Sequence, residues 1–86
     1  MKFYYVYILQ NEESSGLYIG FTSDLRKRIV GHTSGDTKTT RSKKWSLVYY
    51  EAYRNKMDAL GREKFLKGGS GRKYLNKQLK HYFEEM

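Results

Sequence analysis

The feature that most constrains the fold is a continuous run of apolar and aromatic residues, Phe3–Leu9, near the start of the chain. Its length and its β-branched and aromatic content predict a strand that is buried on both faces. A short polar segment, Asn11–Gly16, separates it from a second run of this kind, Leu17–Phe21. Two strands joined by so short a link favour a hairpin, so we expect an antiparallel pair at this end of the chain.

A helix, a loop and a third strand are predicted next. Thr22–Asp24 offers side chains that can cap a short helix over residues 24–32. Residues 33–44 contain almost no apolar side chains, which favours a loop. Trp45–Tyr53 is again rich in aromatic and branched residues, as is typical of a strand.

Two helices are predicted in the C-terminal part. Asn55 can cap the first, and we expect Gly68–Gly71 to end it. Three residues mark its apolar side: Met57, Leu60 and Leu66. Apolar residues at three- and four-residue intervals predict a last amphipathic helix over residues 71–84. The expected fold is therefore α+β in the order ββαβαα, a three-stranded, mainly antiparallel sheet flanked by helices. Residues 1–86 have room for a single domain.

The charge balance indicates the kind of partner. Seventeen Lys and Arg against nine Asp and Glu give a net charge of +8, which attracts polyanions. Nucleic acid is the first candidate, because phosphate neutralisation supplies most of the non-specific affinity of such proteins. An acidic membrane surface or an acidic protein would also fit the charge. The candidate phosphate contacts are Lys38, Arg41, Lys43 and Lys44 before the third strand, and Arg72, Lys73 and Lys77 on the last helix.

Several classes of protein are excluded or disfavoured. The chain has no cysteine, which excludes disulfides and thiolate metal sites. His32 and His81 lie far apart in sequence, so no zinc ligand set stands out. No apolar run approaches the roughly 20 residues of a membrane helix. We therefore expect a soluble, cytoplasmic protein that does not bind membranes.

Five polar residues form a candidate catalytic group. Tyr7 and Tyr18 lie near the middle of adjacent predicted strands, and Arg28 and His32 share one face of the first helix. Glu63 borders the apolar side of the second helix, where a carboxylate needs a partner such as a cation. Each residue also has a purely structural interpretation: core tyrosines, a solvated basic face, a helix C-terminal cation and a surface ion pair. The functional interpretation depends on all five occurring together.

Two parts of the chain resemble the GIY-YIG nuclease signature. Tyr5–Leu9 and Leu17–Ile29, followed by His32, resemble its two tripeptides and first helix, and Ala59–Lys64 resembles the later acidic motif. The similarity covers nearly the whole chain. It is greatest to small stand-alone GIY-YIG domain proteins, which are related to the N-terminal nuclease domain of the excinuclease C subunit. The first tripeptide here is Val6-Tyr7-Ile8, so its initial glycine is absent.

The resemblance implies a role for each candidate residue. Tyr7 and Tyr18 stand for the tyrosines of the two tripeptides, and Gly20 is the glycine that permits close approach. Arg28 would contact the scissile phosphate, and His32 sits where many members have a histidine or tyrosine. Glu63 would be the catalytic carboxylate and the ligand of Mg²⁺ or Mn²⁺. Asn76 is a candidate for an asparagine that many members carry late in the domain.

The function implied is a divalent-metal-dependent endonuclease that hydrolyses phosphodiester bonds in DNA, structure-selective and active in repair or recombination. A Mg²⁺ ion held by one carboxylate, waters and phosphate oxygens is a common arrangement. Tyr7 is the expected general base, with its pKa lowered by nearby cations and the metal, and His32 is a relay or the base itself. Tyr18 would orient water or phosphate. The alternative is a non-catalytic nucleic-acid-binding module on the same fold; RNA is a possible ligand, and a targeting subunit a possible partner.

Overall fold

The computed structural model describes residues 1–33 and 44–85, with the backbone alone for His32 and Thr33. Three strands, β1 (Tyr4–Asn11), β2 (Leu17–Thr22) and β3 (Trp45–Tyr53), form one antiparallel sheet in the order β2-β1-β3. The helices are α1 (Leu25–Thr33), α2 (Lys56–Lys67), α3 (Gly69–Gln78) and α4 (Lys80–Glu84). The predicted α+β class and element order are confirmed, with the last helix divided in two.

The central strand explains the apolar run at the start of the sequence. Because β1 pairs with both other strands, its residues from Val6 to Leu9 are buried. Side chains alternate between the two faces of a strand, so Val6 and Ile8 face α2 and α3 while Tyr7 and Leu9 lie on the opposite face. The core on the first face contains five buried residues: Val6, Ile8, Ala59, Leu66 and Leu75. Tyr7, a candidate catalytic residue, therefore lies on the face of the sheet opposite the main hydrophobic core.

Local side-chain hydrogen bonds set the two connections around β2. In the hairpin, the Asn11 side chain accepts hydrogen bonds from the backbone N–H groups of Glu13 and Ser14, and Ser15 adopts a left-handed conformation with φ 64°. After β2, the Asp24 carboxylate accepts a hydrogen bond from the backbone N–H of Lys27 at 3.1 Å, which caps α1. The predicted caps are confirmed, and they fix the direction in which α1 leaves the sheet.

The glycine-rich segment after α2 does not act as a helix stop over its whole length. Only Gly68 separates the helices, and Gly69–Gly71 already belongs to α3. Gly71 is buried, and a Cβ there would collide with the backbone of Leu66. The glycine is therefore required because α3 crosses close to the end of α2.

Two details of the predicted helices are wrong. The chain leaves helical geometry at Leu79 (φ −108°, ψ 29°), so the expected helix over residues 71–84 becomes α3 and α4. Met57 was expected on the apolar side of α2, but its side chain is 70% exposed and Ala59 takes the buried position instead. In both cases the packing against the sheet, which helical spacing does not specify, determines the outcome.

Candidate active site

The centre of the candidate site is the phenol of Tyr7. Tyr7 lies opposite Gly20 in the β1–β2 pair, and its side chain is fully buried. A Cβ at position 20 would overlap the ring and hydroxyl of Tyr7. The close approach that the sequence suggested at Gly20 is therefore made by the Tyr7 side chain, which lies across the edge strand.

Gly20→Ala should consequently displace Tyr7 and disturb both stability and activity. Adding a methyl group to a packed site typically costs about 1–3 kcal/mol, and the misplaced hydroxyl should reduce any cleavage at least tenfold. Chemical denaturation and a cleavage assay would measure the two effects. Gly61→Ala is the matched control, since nothing lies within 4 Å of a Cβ there. Equal behaviour of the two variants would contradict this account of Gly20.

Tyr18 lies on the same face of the sheet as Tyr7. It pairs with Leu9, two positions from the Tyr7–Gly20 pair, and the centroids of the two tyrosine rings are 6.3 Å apart. The Trp45 ring meets Tyr18 edge-on at 6.1 Å and is half-buried. Trp45, at the start of β3, therefore packs against Tyr18.

Two charged residues that are distant in sequence act on the Tyr7 hydroxyl. Arg28, from α1, hydrogen-bonds to it, and the negative charge of Glu63, from α2, has a smaller electrostatic effect on it. The helix that carries Glu63 packs against β2, and the Tyr7 side chain lies across the same strand at Gly20. The structure therefore places Tyr18, Arg28 and Glu63 where each acts on the Tyr7 phenol.

The expected lowering of the Tyr7 pKa does not hold for the protein alone. Burial of the phenol raises the pKa of Tyr7 to about 12, and the neighbouring Tyr18 and Glu63 add to the increase. Arg28 lowers it through its charge and its hydrogen bond, but this effect is smaller than that of burial. Tyr7 is therefore a neutral phenol at physiological pH unless a further cation acts on it.

Glu63 is the residue that could hold such a cation. Its side chain is 20% exposed, and Oε2 lies 3.2 Å from the ammonium of Lys67, one turn along α2. A positive group is thus already accommodated against this carboxylate. No group of three or more His, Asp or Glu side chains that could bind a metal exists within the described residues. A single carboxylate fits a hard divalent ion that keeps most of its waters, as Mg²⁺ does.

A half-buried ion pair that the sequence analysis missed, between Arg62 and Glu51, holds α2 against β3 next to Glu63. Arg62 donates from Nε and Nη2 to the Glu51 carboxylate at 3.0 and 3.1 Å. The hydroxyls of Tyr49 and Tyr53 donate to the same carboxylate at 2.8 and 2.6 Å. Burial favours the neutral acid, yet these hydrogen bonds and Arg62 outweigh it and hold the pKa of Glu51 below its usual value. The sequence does contain an indication of this pair. Glu51 is the one acidic residue in a strand rich in aromatic residues, and a carboxylate in such a place needs a partner.

The remaining predicted site residues lie either outside the described residues or on the exposed surface. Lys38, Arg41 and Lys43 lie outside the described residues, as does the side chain of His32. The other predicted phosphate contacts are exposed: Lys44 directly before β3, and Arg72, Lys73 and Lys77 on α3. Asn76 is also exposed on α3, one turn after Arg72. None of the helices described is long and apolar enough to cross a membrane.

The sheet, the paired tyrosines, the helix arginine and the lone carboxylate define a GIY-YIG nuclease-type domain. Comparison with known proteins supports this: the model of the GIY-YIG catalytic domain matches residues 3–77. The chain therefore belongs to the GIY-YIG family.

Similar proteins carry the name UPF0213. One from Clostridium perfringens is 45% identical over 65 residues, which cover 73% of this chain and 69% of that protein. Another, from Staphylococcus saprophyticus, is 38% identical over 77 residues, covering 87% and 93%. The solution NMR structure of a UPF0213 protein from Bacillus halodurans is 31% identical, with a TM-score of 0.56 and coverage of 88% of this chain and 84% of that one.

Proposed function

We propose that this protein is a divalent-metal-dependent endonuclease that cleaves phosphodiester bonds in DNA, selects its substrate by structure and serves DNA repair or recombination in the cytoplasm. The observation that carries the proposal is the hydrogen bond between Arg28 and the buried Tyr7 side chain, with the charge of Glu63 acting on the same phenol. These residues come from three separate elements, so the grouping is a product of the tertiary structure. Membership of the GIY-YIG family, whose matching model is that of a catalytic domain, also supports nuclease activity.

Each residue has a definite task in such a reaction. The planar guanidinium of Arg28 suits a phosphate and neutralises charge that develops on it. Tyr7 removes the proton from the attacking water, and Tyr18 orients the water or the phosphate. Glu63 would hold the divalent ion. When bound there, that ion would supply Lewis-acid stabilisation of the leaving oxygen and would lower the pKa of Tyr7.

A non-catalytic nucleic-acid-binding module is the competing function. The net charge of +8 would serve binding alone. However, the negative charge of Glu63 acts on the same phenol as Arg28, the arginine expected to meet phosphate, and in a module that only binds, this carboxylate would repel the ligand. A cation held by Glu63 removes this conflict, which is why we favour the enzyme.

A cleavage assay with end-labelled substrates tests the proposal. The panel contains duplex, single-stranded, flapped and branched DNA with the matching RNA molecules, each with Mg²⁺, with Mn²⁺ or with EDTA. We expect the wild type to cut at least one DNA structure only with metal, and Glu63→Gln to lose this activity. Glu84→Gln is the control, because Glu84 is an exposed carboxylate on α4 far along the chain from the site.

Thermal unfolding provides a second measurement on the same proteins. Millimolar Mg²⁺ should raise the melting temperature of the wild type, because an ion that binds only the folded state stabilises it. Glu63→Gln should abolish that increase. If the protein binds DNA tightly without cutting it, and Glu63→Gln does not change the binding, the proposed nuclease activity is refuted and the non-catalytic binding module is supported.

A further inference from the structure

A groove at the edge of the sheet includes Tyr18 of the candidate active site in its lining. It lies between the edge strand β2 and the corner where α2 passes into α3, and it has a volume of about 340 Å³, within the range of about 300–1,000 Å³ that is typical of ligand sites. Tyr18 forms one side, and Lys67, Gly68 and Arg72 form the other. The groove therefore shares Tyr18 with the candidate site, where the Tyr18 ring packs beside that of Tyr7.

Lys67 contacts the candidate metal ligand Glu63 and also lines the groove. Its ammonium pairs with the Glu63 carboxylate, and its side chain lines the groove together with Arg72. The Lys67 side chain is 54% exposed, and an ion pair of this kind at i,i+4 on a helix contributes little to stability. Lys67 can therefore leave Glu63 at little cost when another cation takes the carboxylate.

We propose that the groove is a second phosphate-binding site, in which Lys67 and Arg72 bind a backbone phosphate of the nucleic acid that neighbours the scissile one. Arg72 is available for this contact at all times. Lys67 exchanges Glu63 for the phosphate when a divalent cation occupies the carboxylate. The inference rests on the proposed function for the identity of the polyanion and of the cation, and it adds a residue, Lys67, to the binding surface.

The exchange has a thermodynamic consequence. Because the cation at Glu63 releases Lys67 toward the groove, cation binding and phosphate binding should favour one another, and the coupling is reciprocal. Lys67 competes with the cation when no nucleic acid is present and assists the complex when it is. Removing the Lys67 charge should therefore change the affinities for the two ligands in opposite directions.

Equilibrium binding of fluorescein-labelled DNA over a range of salt concentrations tests the phosphate site. The variants are Lys67→Met and Arg72→Met, with Lys64→Met as control, since Lys64 is an exposed lysine of the same helix that does not line the groove. Each measurement is made with EDTA and with Ca²⁺, an ion chosen to limit cleavage. One lost phosphate contact should lower the slope of log affinity against log salt by about 0.7–0.9.

We expect Arg72→Met to show this decrease in both conditions and Lys67→Met to show it mainly with Ca²⁺. Binding of Mn²⁺ without DNA, followed by the paramagnetic signal of the free ion, is the second measurement. Lys67→Met should bind Mn²⁺ about twofold more tightly, as removal of an i,i+4 ion-pair partner on a helix implies, and Glu63→Gln should lose the site. A variant that is merely damaged would lose affinity for both ligands.

Salt slopes of Lys67→Met and Arg72→Met equal to that of Lys64→Met would overturn the second phosphate site. Unchanged or weaker Mn²⁺ binding by Lys67→Met would overturn the exchange. None of these measurements requires cleavage, so the two proposals can fail separately. A protein that binds as expected but does not cut DNA would refute the proposed nuclease activity and support the second phosphate site. A protein that cuts DNA but has unaltered salt slopes in the variants would support the nuclease activity and refute the second phosphate site.

Discussion

Tyr7→Phe should reduce DNA cleavage by about 10²–10⁴-fold, the usual effect of losing a general base, while leaving the fold intact. The ring keeps its position across Gly20, and the lost group is a single hydroxyl. Cleavage rates at saturating substrate, compared with the circular dichroism and melting temperature of the same variant, would establish both parts of the expectation. A variant with near wild-type rates would remove Tyr7 from the chemistry.

The pH dependence of cleavage should identify the base. Burial raises the pKa of Tyr7 to about 12 in the metal-free protein, and the phenolate is the reactive form. The active fraction therefore increases tenfold per pH unit below the pKa of Tyr7, and the wild-type rate should continue to rise above pH 8. If His32 were the base, the rate would instead level off above its ordinary pKa of about 6.5. Tyr7→Phe should lose the alkaline rise, and His32→Ala should retain it.

Glu51→Ala should have the largest effect on stability of the substitutions discussed. It removes the acceptor of four hydrogen bonds and leaves the Arg62 guanidinium, whose side chain is 21% exposed, without its carboxylate. Breaking a buried ion pair from one side costs about 3–5 kcal/mol, and we expect a value near the lower limit because Arg62 is partly exposed. At neutral pH the melting temperature should fall by about 12–24 °C.

The effect of Glu51→Ala should depend on pH with a definite sign. The folded-state pKa of Glu51 is lowered, so its contribution is present above the unfolded value of 4.5 and is lost as the pH falls through the lower folded value. The difference in unfolding free energy between wild type and variant should consequently shrink below about pH 4.5. Urea unfolding at pH 7 and at pH 3 measures it, with Glu84→Ala as the exposed control. A difference that is independent of pH would contradict the ionised Glu51–Arg62 pair.

The anchoring of Arg62 also bears on the proposed site. Arg62 directly precedes Glu63 on α2 and packs its guanidinium on the ring of Tyr74, 4.3 Å from the ring centroid. Glu51 and Tyr74 therefore fix the turn of α2 that carries the metal-binding candidate. The rigid placement of this carboxylate matters because the described residues contain no group of three or more His, Asp or Glu side chains that could share the ion.

Much of the site could be predicted because its residues lie in strong local patterns. The aromatic run of β1, the polar link and the second strand specified a hairpin, and hairpin pairing alone brings Tyr7 near Tyr18. Asp24 specified the start of α1 and so the helical position of Arg28. The roles of Arg28 and Glu63 came from the resemblance to a family, since nothing local to either residue shows which surface it meets.

The sequence by itself determined the order of elements, the caps, the burial of β1 and the positive charge, because these depend on neighbours within a few residues or on composition. Only the tertiary structure decided that β1 is the central strand, that the charge of Glu63 acts on the Tyr7 phenol, that Glu51 pairs with Arg62 and that Gly71 admits the crossing of α3. In the metal-free protein, burial also raises the pKa of Tyr7. The reason is that burial and contacts between separate elements depend on how the helices pack on the sheet, and periodicity along the chain does not specify that packing.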